Sequence, residues 1–237
     1  MNGAYDPRQQ LAALHGGLVV SCQARADSPL HGAPHMAAMA EAAVQAGAVG
    51  IRANGPANIA AIRARVSVPI LGINKLILAD GTTLITPSCR SALDVIKAGA
   101  RLIAFDGTDR PRRHGESLAE VIRCIKDNGA AALADVSTLE EGRRAAGAGA
   151  DAVGTTLSGY TASSPRQEEP DFALVEALAR EVGVPVFAEG RIWTPAEAAR
   201  ALEHGADFVV VGTAITNPAA ITERFVAAMR AVGGSSG

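Results

Sequence analysis

An α/β barrel is the fold class that this sequence of 237 residues predicts, and three observations carry the prediction. Short runs rich in Val, Ile, Ala and Gly alternate with longer amphipathic segments, and the alternation repeats through eight units. The apolar runs are nearly continuous, as a parallel sheet requires when helices bury both of its faces. A Gly-Ala pair recurs where helical segments stop, at Gly47-Ala48, Gly99-Ala100, Gly149-Ala150 and Gly205-Ala206. Glycine supplies the left-handed helix cap, and the small residue after it lets the chain turn into the next strand. Eight units favour a single closed (β/α)₈ TIM barrel over an open doubly wound sheet, and the length is near the roughly 250 residues typical of that fold. The patterning argues against an all-β sandwich, and the lack of a fixed repeat length against a solenoid.

Taken in order, the residues before Leu18 predict an extra N-terminal helix over the barrel floor. The strands are expected at Leu18–Ser21, Val49–Arg52, Ile70–Ile73, Leu102–Asp106, Ala131–Asp135, Ala152–Thr156, Val184–Ala188 and Phe208–Val211. The helices that follow them are expected at Met36–Ala46, Ala57–Arg65, Ser91–Ala98, Leu118–Asn128, Leu139–Gly147, Asp171–Val182, Pro195–His204 and Pro218–Val232. Residues 1–232 read as one domain, and Gly233 to Gly237 as a Gly/Ser tail of linker chemistry.

Hydrophobic residues make up 48% of the chain and Gly numbers 25, which suits buried strands and tight turns and excludes a disordered or collagen-like chain. The formal net charge of −2 gives no global field that would draw the protein to nucleic acid or an anionic membrane, so an anion must be caught locally. Cys22, Cys89 and Cys124 show none of the paired spacings of a zinc site or disulfide framework and read as reduced thiols. No stretch approaches the roughly 18 apolar residues of a membrane span, and no apolar leader opens the chain. A cytoplasmic enzyme is expected.

Barrel chemistry sits at the carboxyl ends of the strands, so the polar residue ending each apolar run matters most. Those residues are Gln23, Arg52 with Asn54, Lys75, Asp106, Asp135, Thr155 with Thr156, and Glu189. The seventh strand runs on into Gly190-Arg191 and the eighth into Gly212-Thr213. Barrels often hold phosphate through backbone N–H groups of those two loops, and glycine permits the close approach. Gly190, Arg191, Gly212 and Thr213 are therefore the expected phosphate-binding residues.

No Cys/His cluster suggests a metal and no dinucleotide fingerprint opens a βα turn, so neither metal nor cofactor is expected and acid–base chemistry remains. Lys75 and Glu189 would flank a ligand from different sides. For Lys75 to act as a base near neutrality its pKa must fall by roughly 2 to 3 units through burial and positive neighbours, of which Arg52 is one candidate. The competing readings of Lys75 are a structural salt bridge to Asp135 or Glu189, and a Schiff-base nucleophile. The five histidines His15, His31, His35, His114 and His204 end no strand, and Trp193 reads as a packing residue at the rim. The hydroxyl-rich run Thr155 to Thr161 begins directly at a strand end and reads as a ligand-facing loop.

The strings Val20-Ser21-Cys22-Gln23-Ala24, Gly50-Ile51-Arg52-Ala53, Ala134-Asp135-Val136-Ser137-Thr138, Gly154-Thr155-Thr156-Leu157-Ser158-Gly159-Tyr160-Thr161 and Ala188-Glu189-Gly190-Arg191-Ile192 resemble the N-acetylmannosamine-6-phosphate 2-epimerase family, from about Gly17 to Ala228. The resemblance implies a cofactor-independent isomerase that inverts C2 of a phosphorylated N-acyl amino sugar, in amino-sugar and sialic-acid catabolism. It places Lys75 and Glu189 as catalytic residues and Gln23, Arg52 and Asp135 at the substrate, where Thr156, Ser158 and Tyr160 of the ligand-facing loop are expected as well. The chain departs from the family pattern at Leu76-Ile77-Leu78-Ala79, which is apolar, and at Thr213 and Asn217 near the phosphate end. The alternatives are another phosphosugar isomerase or Schiff-base lyase, and a non-catalytic phosphosugar sensor. A homodimer is expected from the frequency of twofold assemblies.

Overall fold

The computed structural model describes residues 6–112 and 115–233; His114 and the expected tail beyond residue 233 lie outside them. The first half of the chain runs α1 (Pro7–Ala12), β1 (Leu18–Cys22), α2 (Ala33–Gln45), β2 (Gly50–Asn54), α3 (Pro56–Arg63), β3 (Ile70–Ile73), β4 (Lys75–Ile77), β5 (Thr83–Ile85) and α4 (Cys89–Lys97). The second half runs β6 (Leu102–Asp106), α5 (Leu118–Asp127), β7 (Ala131–Asp135), α6 (Leu139–Gly147), β8 (Ala152–Gly154) and α7 (Phe172–Glu181). It ends with β9 (Val186–Glu189), α8 (Pro195–Glu203), β10 (Phe208–Val211), α9 (Thr213–Thr216) and α10 (Pro218–Gly233). Among the described residues a closed parallel barrel forms in the order β1-β10-β9-β8-β7-β6-β3-β2, while β4 and β5 make a separate antiparallel hairpin.

The period of two along each strand sorts side chains into two cores. Val20, Ile51, Ile103, Phe105, Ala132, Val153, Ala188 and Val209 face outward and pack beneath the helices. Val19, Leu71, Leu102, Leu133, Ala152, Phe187, Phe208 and Val210 fill the barrel, with Leu14 closing the floor. Phe187 and Phe208 stack inside it with ring centroids 5.2 Å apart. Gly154 is what admits the Phe187 ring, for a Cβ there would lie 2.1 Å from it. The same alternation turns Arg52, Asp106, Asp135 and Glu189 inward, each two residues past an inward or cavity-filling position.

Helix ends follow local chemistry. Ser88, Ser117, Thr138 and Thr194 each begin a helix through a reciprocal capping box. Gly47, Gly99, Gly149 and Gly205 adopt positive φ, and the alanine after each donates back to the last helical turn. The extra N-terminal helix is present as α1.

Three features differ from the expectations. The β4–β5 hairpin interrupts the third βα connection, and its Asp80-Gly81 tip is closed by Leu78 N–H donating to Thr82 O at 2.8 Å. The sixth barrel strand ends at Gly154, because Leu157 N–H turns back to Val136 O on the neighbouring strand's exit loop. Cys89 and Cys124 are joined in a disulfide with Cα atoms 5.8 Å apart, which corrects the reading of all three cysteines as reduced thiols. Packing of α4 against α5 brings them together across 35 residues, a pairing that sequence spacing does not reveal. Cys22 is a buried free thiol.

Candidate active site

Strand ends bring one guanidinium and two carboxylates into contact. Arg52, at 1% exposure, grips Asp135 with both terminal nitrogens, at 2.6 and 3.1 Å, and donates to Glu189 Oε2 at 2.6 Å. These partners come from β2, β7 and β9, so the ion triad spans the barrel mouth. Thr156, just beyond β8, donates its hydroxyl to Asp135 Oδ1 and lies 3.3 Å from Glu189 Oε2. Arg52 Nε is buried without a hydrogen-bond partner among the described residues.

Two carboxylates against one guanidinium leave the cluster short of one positive charge. Lys75 stands where it is felt. Burial pushes the Glu189 carboxyl up to about 7; Arg52 opposes that rise and Asp135 adds to it. Lys75 is exposed at the mouth, yet partial desolvation and then the Arg52 charge lower its amine from the ordinary lysine range, against the pull of Glu189 and Asp135. Burial works against the Arg52 charge, but Asp135 and Glu189 more than restore it. The expected alternative of a Lys75 salt bridge is not what forms: Asp135 and Glu189 both pair with Arg52.

The remaining expected residues divide into two sets. Gln23 is half-buried at the end of β1 and donates to Ser21 Oγ at 2.7 Å. Gly190 has φ +117°, and Gly212 caps the short helix α9, which places Thr213 in its first turn. Ser158 and Arg191 hydrogen-bond partners other than the ion triad. Ser158 is fully buried, donating to Asp171 Oδ2 at 2.6 Å and accepting from Gln167. Arg191 spends its guanidinium on Ser158 O at 2.5 Å and Glu169 O at 2.8 Å, and lies over the Tyr160 ring. Both therefore hold the β8–α7 loop in shape. Tyr160 is exposed and borders an open cavity of about 640 Å³ with Thr161, Arg166, Gln167 and Arg191. None of the ion triad lines that cavity, so it is peripheral to the cluster.

Asp106, also inward on β6, is occupied by Thr108 and by Arg110, whose guanidinium lies 2.5 Å away and also donates to Thr83 O on the hairpin. Sequence patterning does not single out Arg110 or Thr86. The hairpin gives both their partners: Arg110 reaches Thr83 O, and Thr86, just past β5, bonds Asn74 beside Lys75. Among the described residues no three His, Cys, Asp or Glu side chains are placed to hold a metal ion.

A closed barrel whose carboxyl-terminal mouth gathers a lowered amine, a raised carboxyl and a buried guanidinium is an enzyme fold equipped for proton transfer. The chain belongs to the NanE family, described as "Putative N-acetylmannosamine-6-phosphate epimerase", which matches residues 36–231. It is 50% identical over 215 residues to the "Putative N-acetylmannosamine-6-phosphate 2-epimerase" of Caldanaerobacter subterraneus subsp. tengcongensis, covering 90% of this chain and 91% of that one. A protein of the same description from Cutibacterium acnes is 47% identical over 223 residues, with 93% and 96% covered. The solved N-acetylmannosamine-6-phosphate 2-epimerase from Clostridium perfringens superposes with a TM-score of 0.88 at 44% identity, over 91% of this chain and 94% of that one. Thiamine phosphate pyrophosphorylase from Pyrococcus furiosus, at 18% identity, a TM-score of 0.59 and coverage of 88% and 90%, shares the fold alone.

Proposed function

We propose that the chain interconverts N-acetylmannosamine-6-phosphate and N-acetylglucosamine-6-phosphate by inverting C2, with Lys75 and Glu189 as the acid–base pair. The observation that carries this reading is the opposed displacement of the two groups, an amine lowered and a carboxyl raised to about 7, at one barrel mouth. In the open-chain sugar the C1 carbonyl acidifies the C2 proton. One member of the pair removes that proton, leaving an enolate whose charge rests on the C1 oxygen and whose C2 still carries the acetamido group; a proton returned to the opposite face inverts the carbon. The other member serves ring opening or the return. The step is redox-neutral, and we assign it to side chains alone.

Arg52 and Asp135 hold Glu189 in place beneath the sugar, and Thr156 shares both carboxylates. Gln23 is assigned to the substrate, and the backbone at Gly190, Gly212 and Thr213 to its phosphate. The setting proposed is cytoplasmic, and no described helix is long and apolar enough to cross a membrane. The assembly proposed is a homodimer, supported by Phe225, Met229 and Val232 exposed on α10 and by an apolar groove of about 360 Å³ beside Leu18, Trp193 and Val211.

The test is incubation with N-acetylmannosamine-6-phosphate in heavy water, followed at C2 by proton NMR. The gluco epimer carrying deuterium at C2, lost in Lys75→Ala and in Glu189→Ala, is the expected result. A borohydride-trapped adduct on Lys75 would instead support a Schiff-base lyase. Binding without exchange would support a sensor.

A further inference from the structure

Lys75 is the first residue of β4, outside the barrel ladder, so the height of its amine over the mouth is set by the main chain at residues 74 and 75. That stretch is held at defined points. Lys75 N–H donates to Asn54 Oδ1 at 2.8 Å, at the end of β2. Asn74 N–H donates to Thr86 Oγ1 at 3.0 Å, and Thr86 N–H returns a bond to Asn74 O at 3.1 Å. The Thr86 hydroxyl then donates its own proton to Ala104 O, 2.7 Å away in β6. One oxygen thus ties the residue before Lys75 to a rigid barrel strand.

Thr86 is 1% exposed, so no bulk water can take over those bonds. Its backbone has φ +45°, a region that a β-branched residue rarely enters and where glycine would be at ease. A strained threonine in a buried position indicates that the side chain is needed there, and such residues cluster at functional sites. The use visible for it is the hydroxyl bridge from Asn74 to Ala104.

We propose that Thr86 is a positioning residue for the reaction: its hydroxyl fixes the main chain that carries Lys75, and so sets the amine against the Arg52, Asp135 and Glu189 cluster. This rests on the acid–base reading of Lys75. Misplacing a reacting group by about 1 Å costs on the order of 100-fold in rate, so removing the bridge acts on turnover before it acts on binding.

The experiment compares Thr86→Val, Thr86→Ser and Thr86→Gly in the heavy-water epimerisation assay, with kcat, KM, a pH–rate profile and thermal unfolding for each. Thr86→Val keeps the shape without the hydroxyl; its kcat should fall about 10- to 100-fold with KM within about twofold. The limb of the pH–rate profile that Lys75→Arg alters should move as well. Thr86→Ser restores the hydroxyl and should recover most of kcat. Thr86→Gly relieves the backbone without restoring the bridge, so it should unfold no earlier than Thr86→Val yet stay slow. If Thr86→Val does not fold, a fast serine variant beside a slow glycine variant supports the proposal in its place. Wild-type turnover in Thr86→Val or Thr86→Gly overturns the proposal, as does loss of kcat that serine does not recover or that leaves the pH profile unmoved. Lys75→Ala separates the two failures: if it turns over normally the reading of Lys75 falls, whereas an inactive Lys75→Ala beside a normal Thr86→Val removes Thr86 alone.

Discussion

Arg52 donates to Glu189 Oε2 at 2.6 Å from the far side of the barrel, while its other contacts clamp Asp135. The two residues lie on β2 and β9, separated by 137 positions in the chain. The pair is held in a buried setting, where breaking an ion pair costs far more than forming it gains.

Replacing Arg52 by Met should therefore destabilise the fold by on the order of 3–5 kcal/mol, because two buried carboxylates lose their counter-charge. Adding Asp135→Asn should recover part of that loss by removing one of them. Denaturant midpoints of the single and double variants check the pair. A double variant no more stable than Arg52→Met would show that unpaired charge is not the cause.

Glu189 also links stability to pH. Its carboxyl is raised from 4.5 to about 7 in the folded chain, so across that window the folded protein keeps a proton that the unfolded chain has released. The contribution is fully present below about 4.5 and is lost as pH rises through about 7. Glu189→Gln abolishes this term. Its stability relative to wild type should rise as the pH is taken from 5 to 8, measured by urea unfolding at steps of roughly half a pH unit. A difference that stays flat with pH would place the Glu189 carboxyl in its ordinary range.

The disulfide offers a third prediction. Closing a loop of 35 residues between Cys89 and Cys124 removes unfolded-state entropy equivalent to about 4 kcal/mol. Reduction, or Cys89→Ser, should lower Tm by on the order of 10 °C for a chain of this size. Calorimetry with and without reductant measures it, and identical Tm values would mean that the bridge contributes nothing.

Packing inside the barrel supplies the last. A Cβ at Gly154 would sit 2.1 Å from the ring of Phe187, itself stacked on Phe208, so Gly154→Ala forces rigid rings apart. The expected loss is about 1–3 kcal/mol or more. Gly142→Ala also meets a side chain closely, at 2.2 Å, but the atom is the end of Leu178 and can rotate away. There helix propensity favours alanine by about 1 kcal/mol, so this variant should be far milder. Equal losses at the two sites would refute the distinction.

Much of the architecture was legible along the chain because it is written in local terms. Continuous apolar runs, capping residues such as Ser117 and Thr138, and the Gly-Ala stops each depend on a handful of neighbouring residues. Arg52, Asp135 and Glu189 were legible for the same reason, as the polar residue ending each run. The contacts of Ser158 and Arg191 were not legible, because Ser158 turns to Asp171 within the β8–α7 loop and Arg191 reaches across from the β9–α8 loop to Ser158 O and Glu169 O.

The sequence by itself determined the barrel, its eight units and which titratable residues stand at its mouth, since strand period and strand ends are local properties. Tertiary structure alone decided who pairs with whom. Arg52 rather than Lys75 neutralises Asp135 and Glu189, Cys89 meets Cys124, and Thr86 reaches Asn74 and Ala104. Each of those contacts joins residues from different elements, and their partners are fixed only when the barrel closes and buries them, because desolvation then compels every charge and hydroxyl to find the nearest complement.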